Sequence, residues 1–302
     1  MREPVTQTLQ LNIGEQRGHL AVHIWMPERP RGTLYCVHPL SGNGRDFDYL
    51  GASLSARGFR VICPDMPGHG RSSYFGREEL YSHAVFVGCL AAVVQRYRGR
   101  RIHFLGSSWG ASVNLSLLAA GEPRDLPPEC RIHSAIVNDL GLEWTEVMRG
   151  GRGFMLDQAR KIYADRESAW QDYVAQRREH FRQSEFDRIE PEVAKAFFHN
   201  RIMETPEGLR YAFDVAIAQH MPPPEPGSYP NMPRLMRSLK LPLFFLYGRH
   251  SALKNSKARE EIEATCPHAR FRDDLDAGHA PKLMTPEQVE IVASFLEETN
   301  RP

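Results

Sequence analysis

Apolar residues along the chain fall into two spacings, and the alternation between them sets the expected fold. Residues 5–13, VTQTLQLNI, alternate with period two; 18–26, GHLAVHIWM, follow; and 32–38, GTLYCVH, form a short, nearly continuous apolar run. Phe47, Leu50 and Leu54 recur at helical spacing within 45–58. Another short strand is expected at 59–65, FRVICPD, and a glycine-punctuated loop at 67–73, PGHGRSS. A helix over about 79–97, a strand at 101–106, a helix over 109–121 ending on a C-cap glycine, and a strand at 131–139 complete this stretch. Buried strands alternating with helices predict an α/β fold: a mostly parallel sheet flanked by helices.

That rhythm stops after 140. To about 220 the chain reads as helical, Arg-rich and aromatic, in SAWQDYVAQRREHF, PEVAKAFFHNRIM and GLRYAFDVAIAQH. A proline-rich return, MPPPEPGSYPNMP at 221–233, precedes renewed strands at 241–248 and 268–275 and a last helix around 286–299. A helical block between two parts of one sheet predicts a lid. The expected division is a core over 1–140, a helical cap over 141–236 and the rest of the core over 237–302.

Composition narrows the class. Hydrophobic residues make up 41% and charged residues 25% of the 302, as in soluble globular proteins. The 38 basic and 37 acidic side chains balance, so neither nucleic acid nor a membrane surface is an expected partner, and oligomeric state is left open. The start, MREPVTQTLQ, lacks the basic-then-apolar layout of a signal peptide. Five scattered cysteines without a C-x-x-C pair read as free thiols of a reducing compartment, so a cytoplasmic location is expected. Thirteen dispersed histidines show no ligand spacing, so neither metal nor cofactor is expected, only a small-molecule substrate.

The candidate chemistry centres on Gly106-Ser107-Ser108-Trp109-Gly110, a G-x-S-x-G run at a strand-to-helix junction. Its glycines allow a tight turn, and Ser108 sits at the carboxyl end of the strand beside the positive end of the next helix. Ser108 is therefore the candidate nucleophile, with Ser107 shaping the turn. A serine hydroxyl needs a base and the base an orienting acid, in chain order Ser, acid, His. His279, in DAGHAPKL near the C-terminus, fits the base. For the acid, the loop YGRHSALK (247–254) has no carboxylate, Ser251 and Ala252 occupying its slots. Asp139, at a carboxyl strand end, is the candidate, ahead of Asp273, Asp274 and Asp276. Backbone N–H groups of Leu40 and Trp109 are the expected oxyanion donors, because Pro39 has none. His38 is read as a brace for that loop.

Taken together these segments resemble the α/β-hydrolase superfamily, in its lid-bearing branch. VHPLSGNGRDF matches its oxyanion loop, PDMPGHGRSS the turn after strand four, GSSWGA the nucleophile elbow and DAGHAP the histidine loop, spanning about 32–298. The four in this order specify the fold and not the substrate. Two positions depart from the pattern: H-P replaces H-G at 38–39, and the acid after strand seven is missing. Asp139 then occupies a position similar to the acid of some haloalkane dehalogenases. Those enzymes and the epoxide hydrolases of this fold use an aspartate nucleophile, which Ser108 sets aside. Ring-fission carbon–carbon hydrolases carry a Gly-Pro-Gly loop after the histidine that this chain lacks. The expectation is a cofactor-free serine hydrolase of carboxylic esters or lactones. The alternatives are carbon–carbon or thioester cleavage by the same residues, and a weakly catalytic binding protein.

Within the expected lid, Trp144, Trp170, Tyr163, Phe197, Phe198, Tyr211 and Phe213 are candidates to line a pocket, although helical spacing favours core. Arg177, Arg178 and Arg201 are candidates to hold a substrate carboxylate, although interspersed acids favour a solvated face. The Pro run at 222–224 reads as a stiff linker.

Overall fold

The computed structural model describes residues 2–121, 126–141, 146–180, 185–219, 231–254 and 256–301, without the side chains of 146–152, 177–180 and 256–258. Trp144, the Pro run at 222–224 and the side chains of Arg177 and Arg178 lie outside the described residues.

Strands β1 (Val5–Ile13), β2 (Gln16–Trp25), β3 (Gly32–Val37), β4 (Phe59–Pro64), β5 (Arg101–Ser107) and β6 (Arg131–Asn138) precede a small hairpin, β7 (Ile202–Thr205) and β8 (Gly208–Tyr211). Strands β9 (Leu243–Gly248) and β10 (Arg270–Leu275) follow. The main sheet has eight strands in the order β1-β2-β4-β3-β5-β6-β9-β10, antiparallel at the β1–β2 and β2–β4 pairs and parallel elsewhere.

The helices are α1 (Asp48–Ala56), α2 (His83–Tyr97), α3 (Trp109–Ala119), α4 (Glu146–Arg160), α5 (Arg166–His180), α6 (Pro191–His199), α7 (Val215–Gln219), α8 (Met232–Arg237), α9 (Ser256–Thr265) and α10 (Pro286–Thr299). Residues of β3 alternate between two cores, as the strand period requires. Tyr35 and Val37 pack with Val93 of α2 and Val113 of α3 on one face. Leu34 and Cys36 pack with Leu50 of α1 and Val292 of α10 on the other. Both faces of β3 are covered, which is why its run is apolar throughout. Among the described residues no helix is long and apolar enough to cross a membrane.

Some elements differ from their sequence reading. The helix expected from about 79 begins at His83, because the Ser82 hydroxyl caps the Val85 N–H, and a 3-10 turn fills 78–81. Residues 202–211, read as helical, form the hairpin β7–β8 inside the insertion. Pro206 and Gly208, the latter at φ 132°, turn the chain there, and burial alternates along β8.

Two of the four wholly buried histidines among the described residues, His38 and His103, should make the fold acid-sensitive. His103 donates from Nε2 to the Asn300 side-chain oxygen, 3.1 Å away, and its Nδ1 lies 2.8 Å from the Ser134 hydroxyl. Burial, foremost, pushes its pKa down to about 4, and that of His38 to about 3. An unfolded chain protonates these rings near their ordinary 6.5, so it binds more protons than the folded chain below that pH. Stability should therefore fall as pH drops from 6.5 to 5, by on the order of 1.4 kcal/mol per pH unit for each histidine. Denaturant midpoints measured at pH 7, 6 and 5 check this; a midpoint constant over that range contradicts it.

Candidate active site

The junction of β5 and α3 is sterically forced into its shape. A Cβ on Gly106 would lie 2.3 Å from the Ala111 Cα, and one on Gly110 would lie 2.2 Å from the Val37 carbonyl oxygen. Only glycine allows the first turn of α3 to press against β5 and the end of β3 at once. Between them Ser108 adopts φ 52° and ψ −122°, a left-handed region that side chains disfavour. It stands at the N-cap of α3, yet its hydroxyl caps no helix N–H. Its Oγ lies instead 2.9 Å from His279 Nε2.

The line continues from His279 Nδ1 to Asp139 Oδ1, at 3.3 Å. A carboxylate oxygen can only accept, so Nδ1 carries the proton and Nε2 faces the serine with its lone pair. Asp139 is fully buried and also at positive φ, 60°, where β6 ends. Four donors surround it. Oδ1 accepts from the Ser251 hydroxyl (2.7 Å) as well as from His279, and Oδ2 accepts from the Ala280 N–H (3.0 Å) and the Gly248 N–H (3.3 Å). The His279 side chain is 39% exposed, which leaves it open to solvent and solutes.

Ser251, in the slot read as lacking an acid, is thus a partner of the acid that replaced it. Asp273, Asp274 and Asp276 are engaged elsewhere. Asp273 pairs with Arg259 and Lys254, Asp274 with Arg272, and Asp276 with His250 and Arg188. Ser107 accepts from the Asn138 amide at 3.1 Å, which ties the turn to β6.

Leu40 lies in the loop that follows β3, and Trp109 opens α3 directly after Ser108. Among the described residues neither backbone N–H donates to a protein acceptor. The loop carrying Leu40 is tightly braced. The Pro39 carbonyl accepts from Gly42 N–H (2.8 Å) and His38 Nδ1 (2.8 Å), while His38 Nε2 accepts from Met66 N–H (3.1 Å). These bonds use both ring nitrogens of a neutral His38. His69 holds the Leu40 carbonyl oxygen at 2.7 Å, its ring stacked on Trp109.

Residues between β6 and β9 are bonded to the segments that follow β3 and β4. Arg201 forms a two-pronged pair with Asp46, Nε to Oδ1 at 2.8 Å, with both side chains buried. This corrects the solvated-face reading of Arg201: its charge is neutralised by a loop carboxylate rather than by water. Asn43 donates to the Asn200 carbonyl at 2.7 Å, and Asp214 accepts from Tyr81 (2.6 Å) and Gly76 N–H (2.8 Å). Tyr163, Phe197, Phe198, Tyr211 and Phe213 are buried in the core of the fold, with Trp170 packed against it.

The sequence marks Ser251 only as an occupant of the slot without an acid, and it gives no sign of the backbone donors of Asp139, Gly248 and Ala280. The vacant acid slot was the one signal pointing to Ser251.

A 3-hydroxybutyrate-oligomer hydrolase of Cupriavidus necator is 26% identical over 282 residues, 92% of this chain and 92% of that protein. Among solved structures, E-2-(acetamidomethylene)succinate hydrolase superposes with a TM-score of 0.76 at 20% identity, covering 97% of this chain and 100% of that one. The thioesterase domain from the curacin biosynthetic pathway has a TM-score of 0.70 at 21% identity, covering 97% and 99%. Residues 32–283 match the family model described as alpha/beta hydrolase fold. The chain belongs to the alpha/beta hydrolase fold family and is a hydrolase.

Proposed function

We propose that the protein cleaves a small carboxylic ester through an acyl-enzyme on Ser108. The observation that carries this reading is the unbroken hydrogen-bonded line from Ser108 through His279 to Asp139. His279 Nε2 takes the hydroxyl proton as Ser108 Oγ attacks the ester carbonyl carbon, and Asp139 stabilises the imidazolium. The N–H groups of Leu40 and Trp109 hold the oxyanion, each such donor contributing about 10²–10³ in rate. Nε2 passes its proton to the departing alkoxide. Water then loses a proton to the same nitrogen as it attacks the acyl carbon, and Ser108 leaves with that proton. The inserted segment, 141–236, caps this site through its bonds to loops 43–48 and 66–76.

The Cupriavidus necator relative, named for oligomers of 3-hydroxybutyrate, supports an oxoester of a short hydroxy acid as substrate. Likeness to the curacin thioesterase domain supports the fold alone.

Two measurements test the reading. Intact mass after a fluorophosphonate should show one adduct per chain in wild type and none in Ser108→Ala. A panel of matched p-nitrophenyl esters, N-acetylcysteamine thioesters and 3-hydroxybutyrate dimer should give kcat/KM at least about tenfold higher for oxoesters than for thioesters. Absence of labelling in folded wild type removes the nucleophile, and a thioester preference removes the substrate class.

A further inference from the structure

The turn at 185–188 links the aromatic interior of the insertion to the segment that carries His279. Phe186 packs on Trp170 and Tyr173, with ring centroids 6.2 and 5.9 Å apart. Glu185, beside it, is 6% exposed and points the other way. Its Oε1 accepts from the backbone N–H of Lys282 at 2.6 Å and from the Gln288 side-chain amide at 2.9 Å. The Gln288 oxygen accepts in turn from Met284 N–H at 3.0 Å. Arg188, one turn on, donates to the Asp276 carbonyl at 2.9 Å and lies 3.7 Å from the Asp276 and Glu287 carboxylates. These contacts bracket His279 on both sides along the chain.

The bracketed backbone is strained. Ala280 and Leu283 sit at φ 56° and 57°, a region that non-glycine residues hold only where their surroundings enforce it. From the sheet side, Asp139 accepts the Ala280 N–H at 3.0 Å and Asn138 donates to the Pro281 carbonyl at 2.9 Å. Glu185 supplies the opposing hold from the insertion, on Lys282, one of the two residues between those φ outliers.

We propose that Glu185 is a positioning residue for His279: it fixes the 280–284 backbone so that the imidazole stays in line between Ser108 and Asp139. This rests on the reading of Ser108, His279 and Asp139 as the reacting set. It makes the insertion part of the base's support, so a substrate that displaces the Phe186 turn also displaces the base. The role needs an acceptor oxygen at 185 and no charge, because both partners are N–H donors.

Glu185→Ala, which leaves both donors without that acceptor, should lower kcat about 10- to 100-fold with KM within about twofold, as expected for a base displaced by an ångström or less. Fluorophosphonate labelling of Ser108 should slow by the same factor. Glu185→Gln keeps a carbonyl oxygen for both donors and should return kcat to within about threefold of wild type. Gln288→Met removes one of the two donors to Glu185 and the acceptor of Met284 N–H but leaves the Glu185 hold on Lys282, so kcat should fall between, which keeps the test usable if Glu185→Ala does not fold. Circular dichroism melting would confirm that each variant is assayed folded. Unchanged kcat and labelling in Glu185→Ala, or equal impairment in Glu185→Gln, overturns the proposal. Wild type that fails to label at Ser108 overturns the underlying reading instead, so the two failures are distinguishable.

Discussion

Ser108→Ala will eliminate turnover, by on the order of 10⁵–10⁶-fold in kcat, while the protein stays folded. The substitution removes a hydroxyl whose protein contact is with a half-exposed imidazole, so no buried partner is left unsatisfied. Alanine also inherits the left-handed backbone at φ 52°, so the strain of the turn is unchanged. Glycine at the same position carries no such penalty. Ser108→Gly should therefore be equally inactive yet more stable than Ser108→Ala, by about 1 kcal/mol. Initial rates on a p-nitrophenyl ester and denaturant midpoints for the two variants check both parts. Wild-type-like rates in either would mean that another group attacks the substrate. Equal stabilities would mean that the turn stores no strain. A gain in stability coupled to complete loss of activity would identify φ at 108 as a conformation held for function.

The sheet was legible because each buried strand is a short apolar run bounded by polar or glycine-rich turns, and such runs admit few other fates. GTLYCV and LFFLYG read directly as β3 and β9. The hairpin at 202–211 was not legible. Its apolar residues, Ile202, Leu209 and Tyr211, suit a helix as well as a strand, and only Pro206 and Gly208 marked the turn. At the candidate site, Ser108 announced itself through a local motif, since Gly106 and Gly110 must be small for reasons confined to five residues. Asp139 and His279 needed chain order and position at strand ends as well. Ser251 and Glu185 meet partners 112 and 103 residues away, at Asp139 and Gln288, and no local pattern encodes such a meeting. Arg201 likewise resembles a surface arginine until the fold brings Asp46 against it, 155 residues distant in the chain.

Asp139→Asn should lower kcat by about 10⁴-fold, and its surroundings dictate why. Two of the four donors around Asp139, the N–H groups of Gly248 and Ala280, are backbone groups that cannot become acceptors. An asparagine must turn its carbonyl oxygen toward them, in place of Oδ2, or leave both unsatisfied. Its amide then faces the position of Oδ1 and presents hydrogens to Ser251 and to His279 Nδ1. The serine hydroxyl can rotate and accept. The imidazole can respond only by changing tautomer, carrying its proton on Nε2, where it can no longer receive one from Ser108. The side chain is nearly isosteric, so the melting temperature should change little, which separates a chemical defect from a folding one. Fluorophosphonate labelling should slow in parallel with kcat, because the first attack itself needs the base. Labelling and turnover at wild-type rates in Asp139→Asn would mean that His279 takes its orientation from another group, and that the four donors gathered at Asp139 serve only to close the end of β6.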